Sequence, residues 1–250
     1  MDLGIIYTIW LREIKKFTRE KPRIIGNLAM PFLWLGIMGV GLSATIASGG
    51  NYMAFITPGV IGMSLLFTSI FSGVSVIYDR QFGFLKEILV APASRTDIVL
   101  GKVAGSATIS ILNGILVLIL GMLFGGITIE MITPGGFLLA LLFMALISAA
   151  FVSLGLVIAA SMNSMEGFQV IMSLLVMPIF LLSGAFFPLD NVPPVMGIAA
   201  AIDPLMYGVD GLRGALIDVS RFAFYTDLGV LAAFSAAMIG LAASMFGKLK

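Results

Sequence analysis

The charged residues able to act on a partner concentrate in one short stretch. Between two long apolar runs, Asp79, Arg80, Lys86, Glu87 and Arg95 alternate with Phe82, Leu85, Ile88 and Leu89. The four apolar residues share one face at helical spacing, and Arg80, Lys86 and Glu87 point largely away from it. Ala91-Pro92 ends that helix, because the residue before proline avoids helical geometry. A short helix with an apolar face and mixed charges is built for docking, either on the membrane surface or into another protein. Bond-making chemistry has little to work with. The chain contains no His and no Cys, which removes Ser-His and Cys-His catalysis, imidazole and thiolate metal sites, and disulfides. Gly101-Lys102 does not complete a phosphate loop either. Thr96 stands where the first glycine of the Walker A pattern belongs, and Val103 where Ser or Thr belongs. This chain does not bind ATP by that route.

The elements that must hold the docking stretch are membrane spans. The 250 residues are 60% hydrophobic and 11% charged, with a mean hydropathy of +1.12, whereas soluble domains run near 45–50% apolar and about 25% charged. Six stretches free of ionisable side chains are each long enough to cross the ~30 Å hydrocarbon core at 1.5 Å per residue. They are residues 24–47, 52–78, 103–128, 134–161, 167–189 and 228–247. The predicted fold is an all-α membrane protein, one domain over residues 1–250. Its first 23 residues carry too many charges for a signal-peptide core. Thr133-Pro134 reads as an N-cap and first helical proline, Ser94 to Asp97 as a capping box, and Asn163 with Glu166 as the start of the fifth span. Pro31, Pro58 and Pro178 fall inside spans and are the predicted flex points. With Asn27 and Asn113, they are the hinge and pathway candidates. Gly101-x-x-x-Gly105 and Gly121-x-x-x-Gly125 permit close helix approach, inside the bundle or across a dimer.

Loop charge sets the orientation. Twelve of the fourteen cations lie before the first span, between the second and third, or after the sixth; only Arg213 and Arg221 lie elsewhere. The positive-inside rule puts both termini and the loop 79–97 in the cytoplasm, and 190–226 outside. Residues 3–20 form an amphipathic helix for the cytoplasmic headgroup region, with Trp10 at the interface and Arg12, Lys15, Lys16 and Arg19 among its charges. It serves as an anchor, or also touches a cytoplasmic partner. In 190–226, Val195–Ile202 and Leu205–Ile217 are apolar but too short to cross, as expected of re-entrant or interfacial helices.

The run from Tyr78 to Arg95, YDRQFGFLKEILVAPASR, followed by Gly101-Lys102, resembles the cytoplasmic loop of type-2 ATP-binding-cassette exporter permeases. Phe55-Ile56-Thr57-Pro58-Gly59 is a second match. The third is Leu182-Ser183-Gly184-Ala185-Phe186-Phe187-Pro188-Leu189, with Pro193 and then Asp203-Pro204-Leu205-Met206-Tyr207, Asp210 and Arg213. Within the family the chain looks most like the short permeases of daunorubicin-resistance and nodulation-factor export. The resemblance implies a permease subunit with no cofactor of its own. Two copies form the membrane domain, and two ATP-binding-cassette ATPase subunits, which hold the ATP and Mg, dock beneath. It also implies that Arg80–Leu89 is the coupling helix, 3–20 the interfacial helix, and the segments between Pro188 and Ile217 external re-entrant helices. The family often has an acidic residue where this chain has Gln81, so the ion pair to the ATPase is expected from Asp79, Arg80 or Glu87. With no fixed charge at mid-span, the pathway suits a hydrophobic small molecule or lipid-like cargo. Nucleic acid is not an expected partner. A self-sufficient carrier or channel and a non-transporting scaffold are the competing classes.

Overall fold

The computed structural model describes residues 2–45, 51–82, 94–162, 164–190 and 192–247. Every regular element among them is helical. Helix α1 (Leu3–Arg19) starts at Asp2, whose carboxylate accepts the N–H groups of Gly4 and Ile5. It buries Glu13 and Phe17. The non-helical residue Glu20 then separates it from α2 (Lys21–Leu33), which has proline in its first turn. Pro31 lacks the N–H of a regular ladder, and three residues later the helix takes π geometry over Trp34–Gly39 before α3 (Val40–Thr45). Together these make the first span.

The second span is α4 (Tyr52–Phe71) and α5 (Val74–Gln81), joined at Ser72-Gly73. Close packing puts the break there: a Cβ on Gly73 would collide with the carbonyl of Gly155, and one on Gly155 with that of Ile70. Pro58 and Pro178 cause no comparable break, since α4 and the fifth-span helix run through them. Four long helices complete the spans: α6 (Arg95–Leu123), α7 (Pro134–Ser161), α8 (Met165–Leu182) and, after two short helices, α11 (Phe224–Gly247). Ser94 and Thr133 cap α6 and α7 through the N–H groups of Asp97 and Gly136. The capping box at Ser94 is only half formed, because the Asp97 carboxylate takes the Asp2 N–H at 3.1 Å instead. Ser164 caps α8; Asn163, the expected cap, lies outside the described residues.

Several helix ends differ from the expected span ends; the second helical span, for example, runs on to Gln81 rather than 78 and the fifth starts at Met165 rather than 167. The third helix begins at Arg95 rather than 103 and ends at Leu123, the fifth ends at Leu182 rather than 189, and the sixth begins at Phe224 rather than 228. The physical reason is common to the starts of the third and sixth. Asp97, Lys102 and Asp227 are buried in helices, where protein rather than water or lipid surrounds their side chains. The core lies among the second, third and fourth spans, which are 72%, 56% and 50% buried; the first and sixth are 17% buried and the fifth 22%. Helices α9 (Pro194–Ile202) and α10 (Pro204–Ile217) meet at 85°. This bent pair is compatible with the expected re-entrant shape, and α10 buries most of its length among the second, fourth and sixth spans.

Candidate functional site

Four charges meet where α1 crosses the ends of the second and third spans. Lys102 Nζ lies 3.0 Å from Asp79 Oδ2 and 3.6 Å from Glu13 Oε1, and it also reaches Ser75 Oγ at 3.3 Å. Arg12 Nη2 donates to the other Asp79 oxygen at 2.9 Å. Lys102 and Asp79 are 2% and 4% exposed, so neither can be left without the other in a medium that opposes isolated charge. Burial opposes the charge on Arg12 as well, but the hydrogen bond and charge of Asp79, with Glu13, hold its pKa above the ordinary value. Two anions and two cations balance.

The close approach that makes this possible comes from glycine. A Cβ on Gly101 would sit 2.8 Å from Ile9 Cβ, and one on Gly105 would sit 2.8 Å from Glu13 Cβ. The Gly101-x-x-x-Gly105 face therefore receives α1, rather than another span. Trp10 Nε1 fixes the register by donating to Thr108 Oγ1 at 3.1 Å. Lys15 and Arg19 stay exposed and Lys16 is half-buried.

This arrangement turns Asp79 inward. Arg80 is also engaged within the chain, donating to the carbonyls of Met162 and Ala160 at 2.9 and 3.0 Å and so closing the C-terminal end of α7. Phe82 faces out, 70% exposed, and stacks on Tyr78 at 6.2 Å. Leu85, Lys86, Glu87, Ile88 and Leu89 lie outside the described residues. Arg95 opens α6. Lys102, counted in the sequence as a loop cation, is the central member of the cluster, and Glu13 was not singled out at all. The glycine pair around Lys102 was the available signal.

A cleft of about 330 Å³ opens between the first, second and fifth spans. Met30, Trp34, Met63, Phe67, Met177 and Phe180 give it apolar walls; Asn27, Ser64 and Thr68 are its polar groups. Ser64 Oγ is buried with no hydrogen-bond partner. Rings run along the cleft in contact, from Phe168 to Phe71, Phe67, Phe180, Trp34 and Phe186, with centroids 4.2–6.4 Å apart except for the Phe67–Phe71 step at 6.5 Å. Of the pathway candidates, Asn27 and Pro31 line this cleft, while Pro58, Asn113 and Pro178 do not. Asn113 is fully buried, with both amide atoms unpartnered.

At the opposite end, Arg213 holds three segments together. It is 7% exposed and donates to the carbonyls of Gly184 at 2.7 Å, Ala185 at 3.2 Å and Phe55 at 3.3 Å. Its guanidinium lies 3.8 Å from the Phe55 ring centroid. Asp210, one turn earlier on α10, accepts the backbone N–H groups of Arg221 and Phe222. Asp203 caps α10 through the Leu205 N–H at 2.9 Å, and Tyr207 donates to the Ala201 carbonyl at 2.8 Å across the bend. Pro193 precedes α9, Pro204 opens α10, and Pro188 lines a 190 Å³ pocket beside Arg213. These residues build a cap from the turn after the fifth span, the bent helices and the start of the second span.

Residues 5–217 match the family model described as ABC-2 type transporter. The chain is similar to Nodulation protein J of Rhizobium leguminosarum bv. viciae, with 30% identity over 228 residues, or 89% of this chain and 86% of that protein. For Nodulation protein J of R. leguminosarum bv. trifolii the identity is 31% over 203 residues, covering 78% and 74%. The inner membrane transport permease YadH of Escherichia coli K12 is 25% identical over 233 residues, covering 91% and 88%.

Proposed function

Because the chain belongs to the ABC-2 type transporter family, we propose that it is the membrane subunit of an exporter whose ATP hydrolysis takes place on a separate ATPase. Two permease copies form the conduit, two ATP-binding-cassette subunits dock on the cytoplasmic side, and both termini face the cytoplasm. The cargo is a hydrophobic or amphipathic molecule moved outward by alternating access.

The cleft between the first, second and fifth spans carries this reading. Its walls are aromatic and Met-rich, with three small polar groups and no charge, a lining that favours an apolar body over a small ion. The charge cluster supplies the second element of the mechanism. Asp79 lies three residues before Phe82 and the predicted coupling stretch, and its ion pairs join that root to α1 and the third span. A push delivered below Phe82 is therefore passed to a stiff assembly of α1, α5 and α6.

The test is reconstitution in lipid vesicles with and without the ATPase subunit. ATP-dependent movement of an amphipathic dye is expected only with both proteins present, and Leu85→Asp or Ile88→Asp should abolish both ATPase co-purification and movement while membrane insertion persists. Movement by the permease alone, without nucleotide, refutes the reading.

A further inference from the structure

The pathway cleft is the last of three cavities that share walls. A groove along the outer side of α1 is lined by Arg12, Lys15, Lys16 and Arg19. Lys16 and Glu20 also line a second cleft, of about 330 Å³, which continues inward past Glu13, Ser106, Tyr78 and Gln169. That lower cleft shares Thr68 and Phe71 with the apolar cleft above it. A lining that mixes charged and hydroxyl groups with Phe17, Val74, Ile109 and Met165 thus gives way to one without charge within one helical turn of the second span.

The chemistry left free in the lower cleft is selective. Glu13 is committed to Lys102, and Glu20 is also engaged. Lys16 forms no ion pair or hydrogen bond among the described residues, and neither do the hydroxyls of Ser106 and Tyr78 or the Gln169 amide. One uncommitted ammonium and several neutral hydrogen-bonding groups therefore face the cavity, and Lys15 and Arg19 line the groove that adjoins it at Lys16 and Glu20. α1 is amphipathic, which places the cavity at the depth of lipid head groups.

Resting on the reading of the upper cleft as the pathway, we propose that the lower cleft is a head-group subsite. It binds the single anionic, hydroxyl-bearing head of an amphipathic molecule drawn from the cytoplasmic leaflet, while the tail lies against the rings of the upper cleft. Lys16 pairs with the anion, and Ser106, Tyr78 and Gln169 satisfy the rest of the head. Each cavity falls in the about 300–1,000 Å³ range of ligand sites.

Trp34 lines the upper cleft and Trp10 is the only other tryptophan, so bromine quenching can report where the tail goes. The permease is placed in nanodiscs of phosphatidylcholine as wild type, Trp10→Phe and Trp34→Phe. It is then titrated with lysolipids brominated in mid-chain that differ only in head group: phosphoglycerol, phosphocholine or trimethylammonium. Saturable quenching that Trp34→Phe abolishes is expected, tightest for phosphoglycerol by about tenfold, or about 1.4 kcal/mol. Lys16→Gln should erase that preference, whereas Lys15→Gln should retain it. Free phosphate at millimolar concentration should not compete, since the tail supplies much of the binding.

Equal affinity for the three heads, a tighter cationic head, or an unchanged preference in Lys16→Gln overturns the subsite. Displacement by free phosphate overturns the coupling of head to tail. No quenching of Trp34 by any probe overturns the tail placement, yet leaves ATP-driven movement in vesicles, and so the permease role, to stand separately.

Discussion

Replacing Lys102 with methionine keeps most of the side chain's length and apolar stem but removes the ammonium shared by Asp79 and Glu13. Breaking a buried pair by deleting one partner costs about 3–5 kcal/mol. Arg12 still holds one Asp79 oxygen, and its side chain is 42% exposed, so the lower end, about 3 kcal/mol, is expected here. At about 2–4 °C per kcal/mol for a chain of this size, the unfolding midpoint should fall by about 6–12 °C. Thermal unfolding in nanodiscs, followed by tryptophan fluorescence, measures it directly, because Trp10 sits on the helix the cluster retains. The decisive variant is Asp79→Asn with Lys102→Met. It removes both ends of the 3.0 Å contact and leaves Arg12 and Glu13 balanced, so it should be more stable than the two single losses added together by at least about 1 kcal/mol. A Lys102→Met protein that melts with the wild type, or a double variant that is merely additive, would refute the ion cluster as the bond between α1 and the spans.

Three further outcomes follow from the same geometry. Gly105→Val places side-chain atoms where Glu13 Cβ would lie 2.8 Å from a Cβ; α1 should lift, with a red shift of Trp10 emission, while Gly229→Ala, which meets nothing within 4 Å, should leave the spectrum unchanged. Arg213→Leu strands three carbonyls in the cap around α10 and should cost about 3 kcal/mol in thermal unfolding, with Arg213→Lys intermediate because one ammonium cannot span the sites a guanidinium fork reaches. The chain has no Cys, so single cysteines can report orientation. Ile129→Cys and Tyr225→Cys, at positions 79% and 82% exposed, should react with an impermeant maleimide added outside intact cells, and Phe82→Cys only after permeabilisation; the reverse pattern would invert the topology.

Apolar length and helix punctuation made the six long helices readable, and the fourth starts at Pro134 because Thr133-Pro134 states that start locally. The charged ends were not readable in the same way. A hydropathy reading stops a span at the first ionisable residue, yet Lys102 remains helical and buried because its counterions come from elsewhere: Asp79 is 23 residues away and Glu13 lies on a different helix. Nothing in the neighbourhood of Lys102 announces those partners except the glycines on either side of it. Pro58 lies in a different setting from Pro31. Proline removes one hydrogen bond, but α4 continues through Pro58, in a second span that is 72% buried among its neighbours. Pro31 sits in a span that is only 17% buried, and there the ladder does shift, into the π turn that begins at Trp34.

Under the proposed alternating access, the same difference in packing assigns the moving parts. The second, third and fourth spans and α10 share the core, and α1 is tied to the third span by Trp10–Thr108 and to the second by Arg12–Asp79. The first and fifth spans bury little of themselves, although they form two of the three walls of the apolar cleft. Widening that cleft by displacing them disturbs ring contacts along the aromatic strip, each worth about 0.5–1.5 kcal/mol, and leaves the buried ion cluster intact. α1 and α2 are consecutive in the chain but belong to different bodies under this motion, one held to the core and the other free to swing. The pivot must then lie between them, at Glu20, whose φ of −94° and ψ of 62° already depart from helix and which is followed within two residues by Pro22. Joining α1 and α2 into one continuous helix, by Pro22→Ala with Glu20→Ala, should therefore slow ATP-driven movement of cargo while leaving ATPase binding unchanged. Unaltered transport in that variant would place the pivot elsewhere.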